Sequence, residues 1–157
     1  MARYRTTVPS PAPTDVAYAY LADFASIIDW DPTVAEATRL SGEPGALGAR
    51  YQVVVGWSLL RWPLEYEIVE AEPPASATAP GRVALRAENR DVVSYDVITF
   101  VPRPGSGTDV TYDAQLTGKG LRSVFDPGFG LAMQVIGRRA RGGLVTALGA
   151  LPAQGAQ

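Results

Sequence analysis

Any chemistry in this chain has to come from carboxylates and phenols. The sequence holds no histidine and no cysteine, which removes Ser-His-Asp systems, thiolate nucleophiles, thiolate zinc sites and disulfides. Asp, Glu, Tyr, Lys, Arg and bound water remain. Two stretches place such groups together. DFASIIDWDP, residues 23–32, carries Asp23, Asp29 and Asp31, and the last two flank Trp30 directly. Paired carboxylates can divide the roles of general acid and general base. RDVVSYDVITFVP, residues 90–102, sets Tyr95 beside Asp96 in an apolar run. A carboxyl that loses its solvation there rises in pKa and becomes able to give or take a proton near neutral pH. Tyr66 and Tyr112 are further phenols that could share that proton.

The facing of Asp96 depends on strand register. One face of 90–102 carries Val93, Tyr95, Val97, Thr99 and Val101; the other carries Val92, Ser94, Asp96, Ile98 and Phe100. A one-residue slip exchanges the two sets. With the second set inward, Asp96 is a carboxylate in an apolar interior. With the first inward, Tyr95 and Thr99 are the polar handles. The bulk of Ile98 and Phe100 favours the second set. The acids around Trp30 read differently. Asp31 directly precedes Pro32, where turn chemistry favours Asp, and neither Asp29 nor Asp31 has a basic neighbour in sequence. The stretch therefore reads as a joint, with Phe24, Ile27, Ile28 and Trp30 plugging one end of the fold. Glu65, Glu67, Arg82 and Arg86 alternate with apolar neighbours and are expected to face solvent, as are the arginines of RRAR at 138–141. The glycines of LTGKGL, 116–121, lack the spacing of a phosphate loop and read as a hinge or rim.

The elements that position these residues follow from periodicity and punctuation. RYRTTV (3–8) alternates as a strand and stops at Pro9. Pro13 opens a helix over 13–24, with Val16, Ala17, Tyr20, Leu21 and Phe24 at helical spacing. A second short helix covers 25–29 and ends before Pro32. Strands are predicted at 33–42, 49–57, 61–72, 82–88, 90–102 and 108–118, with Pro63 marking an edge, bulge or bend. Asp126 and Pro127 then suit the N-cap and first position of a long terminal helix. In it Phe129, Met133, Ile136, Ala140, Leu144 and Leu148 recur every three or four residues, while Gly137, Gly142 and Gly143 weaken it or admit a close neighbour. A bent antiparallel sheet needs its apolar face covered, and this helix is the large element available to cover it. The expectation is an α+β helix-grip fold, with a hydrophobic cavity between sheet and helix.

Length and composition agree with one domain over 1–151 and a frayed tail over 152–157. The 157 residues can bury a core unaided, and 46% of them are hydrophobic. Net charge is −2 without a basic stripe, so a nucleic-acid partner is not expected. No apolar run reaches the ~20 residues of a membrane span, and MARYRTTVPSP lacks the apolar centre of a signal peptide. A cytoplasmic location is expected.

The order of VPSPAPTDVAYAYLADFASIIDWDP, LGARYQVVV, YEIVEAEPP, ITFVPRPGSGTDVTYDAQLTGKGL and an arginine-bearing last helix resembles the START-like, SRPBCC superfamily in its bacterial polyketide cyclase/dehydrase-like branch. The resemblance spans almost the whole chain. It implies the helix-grip fold and a deep pocket for a lipid, polyketide or other hydrophobic molecule, and it brings no universal catalytic motif. Oxygenase members that bind metal through histidine are excluded by composition, and neither metal nor cofactor is expected.

The expected function is binding or carriage of a hydrophobic small molecule. The alternative is an aromatase/cyclase or dehydratase-type enzyme using Asp96, Tyr95, Tyr66 or Tyr112; a third is a groove for a partner protein. The expected cavity lining is Phe24, Trp30, Tyr51, Val53, Trp57, Trp62, Tyr66, Ile98, Phe100, Tyr112, Phe129, Met133 and Ile136.

Overall fold

The computed structural model describes residues 1–56, 59, 61–120 and 127–153, with the side chains of 127–129 and 132 excepted. The expected N-cap Asp126, the expected lining residue Trp57 and the side chain of Phe129 lie outside the described residues, as does the tail from 154.

Alternating apolar and polar residues set the strands, and the turns between them set their order. β1 (Ala2–Ser10) leads into α1 (Thr14–Ala22), a single 3₁₀ turn (Phe24–Ser26) and α2 (Ile27–Trp30). The strands β2 (Val34–Ser41), β3 (Arg50–Val55), β4 (Trp62–Glu72), β5 (Gly81–Glu88), β6 (Val92–Pro102) and β7 (Thr108–Gly118) follow, and α3 (Pro127–Gly149) closes the chain. All seven strands form one antiparallel sheet in the order β1-β7-β6-β5-β4-β3-β2. Five of the six ladders join strands consecutive in sequence; the first strand returns beside the last. Bulges at Val34/Glu36, Arg39/Ser41 and Ile68/Glu70 bend and twist the sheet locally. The result is the expected helix-grip: a curved sheet with the two short helices at one end and the long helix against its inner face.

Two prolines show how the strands accommodate a missing N–H, one past an expected stop and one at the expected edge. β1 runs through Pro9 to Ser10, with Pro9 opposite Asp109. β1 is an edge strand, and an edge tolerates a residue with no N–H to donate outward. Pro63 sits inside β4 opposite Val54, in the part of β4 that runs past the β5 ladder, whose first pair is Tyr66 with Ala87. The proline therefore removes no donor that β5 would need.

Two glycines of α3 let the helix close on the rest of the molecule. A methyl group at Gly143 would fall inside the contact surface of the Trp30 carbonyl, and one at Gly137 would fall inside the Tyr4 ring. Small residues at these two points thus fix how closely α3 seats on α2 and β1. Farther along, Ser10 donates to the Leu148 carbonyl at 3.0 Å and Thr108 to the Ala12 carbonyl at 2.8 Å. These bonds tie the end of α3 and the start of α1 to β1 and β7.

The core is not uniform along the inner face. At the end under α1, Val8, Phe100, Val110, Leu21 and Leu148 are at most 1% exposed, and Tyr18 packs edge-on to Phe100 with ring centroids 5.2 Å apart. At the opposite end the inward residues Tyr4, Val55, Val92, Ala114 and Leu116 are only half-buried, as are Met133 and Ile136 on α3.

Candidate functional site

β6 presents Ser94, Asp96, Ile98 and Phe100 inward and Tyr95, Val97 and Thr99 outward. The bulk of Ile98 and Phe100 decides this register: both are fully buried, and the opposite choice would expose them. Asp96 comes inward with them and is 2% exposed. Its β7 partner is Ala114, and its β5 partner is Leu85, so its strand neighbours offer no polar side chain.

Hydroxyls on the same face supply the compensation. Tyr112 donates to Asp96 Oδ2 at 2.7 Å, Ser94 to Oδ1 at 3.0 Å, and Tyr66 to Ser94 Oγ at 3.0 Å. The four residues form one chain across β4, β6 and β7. Desolvation pushes the Asp96 carboxyl up to about 6; the bonds from Tyr112 and Ser94 hold it down, and the carboxylates of Asp31 and Asp113 add to the rise. Desolvation also pushes Tyr66 and Tyr112 well above the usual phenol range, with the Asp96 charge as the next cause.

Aromatic rings enclose this chain. Phe24 packs on Tyr66 at 4.9 Å and edge-on to Tyr51 at 6.3 Å; Trp30 meets Tyr112 edge-on at 5.3 Å. Within 23–32, Phe24, Ile27 and Trp30 are buried and the two rings reach the polar chain, whereas Ile28, expected in the same plug, is 47% exposed. The acids of this stretch divide. Asp29 is exposed and accepts from Tyr20 at 3.1 Å. Asp31 accepts from the Thr33 amide at 2.9 Å and the Thr33 hydroxyl at 2.7 Å, the Asx-turn geometry that Asp before proline favours. Desolvation raises its pKa against those two bonds. The indole N–H of Trp30 is buried without a partner among the described residues.

The expected site residues therefore separate into groups. Asp96, Tyr66 and Tyr112 come together. Tyr95 does not join them: it lies on the outer face and donates to Glu70 at 3.0 Å, because adjacent strand residues point oppositely. Phe24, Trp30, Tyr51, Val53, Ile98 and Phe100 are at most 2% exposed and pack in the continuous core. Met133 and Ile136 are half-buried. Trp62 was expected inward, yet it is 55% exposed. It shares the inward parity of Leu64 and Tyr66 but is the first residue of β4, beyond the β5 ladder.

Sequence reasoning missed Ser94 as the bridge from Tyr66 to Asp96, and undervalued Asp31 as a half-buried, desolvated carboxylate. The signal for Ser94 was its i−2 position before Asp96; for Asp31 it was the Asp-Pro-Thr order. A separate groove of about 150 Å³ on the outer face is lined by Arg5, Arg82, Val97, Thr99, Thr111 and Asp113. It carries both signs of charge and shares no residue with the inner chain. Among the described residues no group of three or more acidic side chains could hold a metal ion.

A curved antiparallel sheet gripping one helix, with buried polar groups on an otherwise apolar inner face, defines the helix-grip class of proteins. The chain belongs to the family described as polyketide cyclase / dehydrase and lipid transport, whose model matches residues 1–151.

Solved structures agree on the fold. A START superfamily protein from Mycobacterium smegmatis superposes with a TM-score of 0.71 at 12% identity, covering 94% of this chain and 97% of that one. The Zhui aromatase/cyclase from Streptomyces sp. R1128 gives 0.67 at 15% identity, covering 93% and 90%. A STAR-related lipid transfer protein from Xanthomonas axonopodis gives 0.65 at 20% identity, covering 90% and 81%. No curated protein matches the chain. No helix among the described residues is long and apolar enough to cross a membrane.

Proposed function

We propose that the protein binds and carries a hydrophobic small molecule between the half-buried end of its sheet and the N-terminal half of α3. The observation that supports this most is the change along the inner face. One end is sealed core; at the other Ala114, Leu116, Val92 and Val55 keep part of their apolar surface uncovered while facing inward. Binding sites of this kind are mostly apolar with a few placed polar groups, and the Tyr66–Ser94–Asp96–Tyr112 chain supplies them at the boundary. The family description names polyketide cyclisation and lipid transport, and two structural neighbours are named as a lipid transfer protein and an aromatase/cyclase; uptake of an apolar molecule is the step these activities share.

Native mass spectrometry of the protein purified from its own host tests the proposal. A retained apolar molecule, identified after denaturation, is the expected result. A ligand-free mass, together with failure to bind the neutral apolar dye Nile red, would sink it.

A second reading has its own observation. Asp96 with a pKa near 6, bonded to a tyrosine, is what a general acid–base pair requires. On this reading the chain is a cyclase- or dehydratase-type enzyme in which Asp96 takes a proton and Tyr112 orients the carboxylate. Asp96→Asn then lowers turnover of a bound polyketide-like substrate by about 10²–10⁴-fold with affinity retained. Unchanged turnover removes Asp96 from catalysis.

A further inference from the structure

Resting on the carriage reading above, we infer that the ligand places a neutral hydroxyl, as a hydrogen-bond donor, on the Asp96 chain, and that ligands ending in a carboxylate are rejected there. The direction of the hydrogen bonds carries this. Tyr66 donates to Ser94, Ser94 donates to Asp96 Oδ1, and Tyr112 donates to Asp96 Oδ2. A serine or tyrosine hydroxyl has one proton to give, so all three protons are committed inward. What the chain still offers is acceptor capacity: the remaining lone pairs of the carboxylate and of the phenol oxygens. On these three hydroxyls a ligand ketone or ester finds no free proton and leaves both sides unpaired, which a buried site penalises.

Charge sharpens the choice. Apart from tyrosines and Trp30, the buried polar side chains among the described residues are Ser10, Thr14, Thr33, Ser94, Asp96 and Thr108, with no lysine or arginine. The charges that act on Asp96 are the carboxylates Asp31 and Asp113. An incoming carboxylate would therefore meet a like charge, with no buried cation among the described residues to offset it. A ligand ammonium also donates, but it must shed the hydration of a full charge. A hydroxyl on an apolar body supplies the missing donor at the least desolvation cost. Its approach is from the half-buried side, past Ala114 and Leu116, since the opposite side of Asp96 is closed by Ile98 and Leu85.

The test compares three probes with one ring body: 2-naphthol, 2-methylnaphthalene and 2-naphthoate. Each displaces Nile red from the full chain at pH 7.5. The naphthol is expected to bind at least ~10-fold tighter than the hydrocarbon, and the naphthoate at least ~10-fold weaker than the naphthol. In Asp96→Asn the charge is gone and the naphthol–naphthoate gap should shrink to within about threefold; an undiminished gap there overturns the assignment to Asp96. The wild-type ranking decides the matter even if that variant does not fold. Three probes of equal affinity overturn the inference while carriage stands. If neither Nile red nor any naphthyl compound binds, the carriage reading falls and takes the inference with it.

Discussion

Asp96 ties function to stability. Burial lifts its carboxyl from 3.8 to about 6. A raised folded-state pKa means that the folded chain holds its proton over a range where the unfolded chain has lost it. Between those two pH values, stability therefore falls as pH rises, and it levels off above 6. Asp31, also raised by desolvation, acts in the same direction. Glu70, Glu88 and Asp113, lowered by hydrogen bonds from Arg82, Lys119 and Arg3, act oppositely; their contribution is lost on acidification below the ordinary carboxylate range. Comparison with Asp96→Asn isolates the first effect. Chemical denaturation from pH 4 to 7 should show the variant gaining on the wild type by on the order of 2–3 kcal/mol. Parallel curves would mean that Asp96 is not held in its buried setting. Tyr112→Phe removes one of the two bonds that hold the Asp96 pKa down. It should raise that pKa further, read by carboxyl NMR titration, and cost about 1–2 kcal/mol.

At the scale of elements, the glycines of α3 give a matched pair. Among the described residues, Gly142 has nothing within 4 Å of the place its Cβ would occupy, whereas Gly143 sits against the Trp30 backbone. Gly142→Ala should stabilise the chain by roughly 0.5–1 kcal/mol through helix propensity alone. Gly143→Ala, one residue on, should destabilise it by about 2–3 kcal/mol through overpacking. Thermal melts of the two variants check both signs. Equal shifts would mean that α3 does not seat on Trp30 as described. The sequence made the periodicity of α3 plain, from Met133 to Leu148. It could not say which of three glycines mattered, because that depends on a carbonyl more than 100 residues away.

At the scale of the molecule, the gradient along the inner face should appear in dynamics. Amides of β6 and β7 near Phe100 and Val110 lie beside sealed core; those near Val92 and Leu116 lie beside half-buried residues. Hydrogen exchange should run near the global unfolding rate at the first and faster at the second, since local opening follows local burial. Bound ligand should slow the second group selectively and raise the melting temperature by mass action. Uniform protection without ligand would argue against an openable end.

The sequence by itself determined the helix-grip order of elements and the absence of thiol and imidazole chemistry. Each of these rests on local information: residue type, a two- or three-and-a-half-residue period, a proline or glycine at a turn. Only the tertiary structure decided which face of β6 turns inward, that Ser94 links Tyr66 to Asp96, that Tyr112 completes the chain from β7, that Trp62 ends up exposed, and that Asp31 is half-buried and desolvated. Those facts depend on which residues stand opposite one another across ladders and under a helix. Register and packing are non-local properties, and no spacing along the chain encodes them directly.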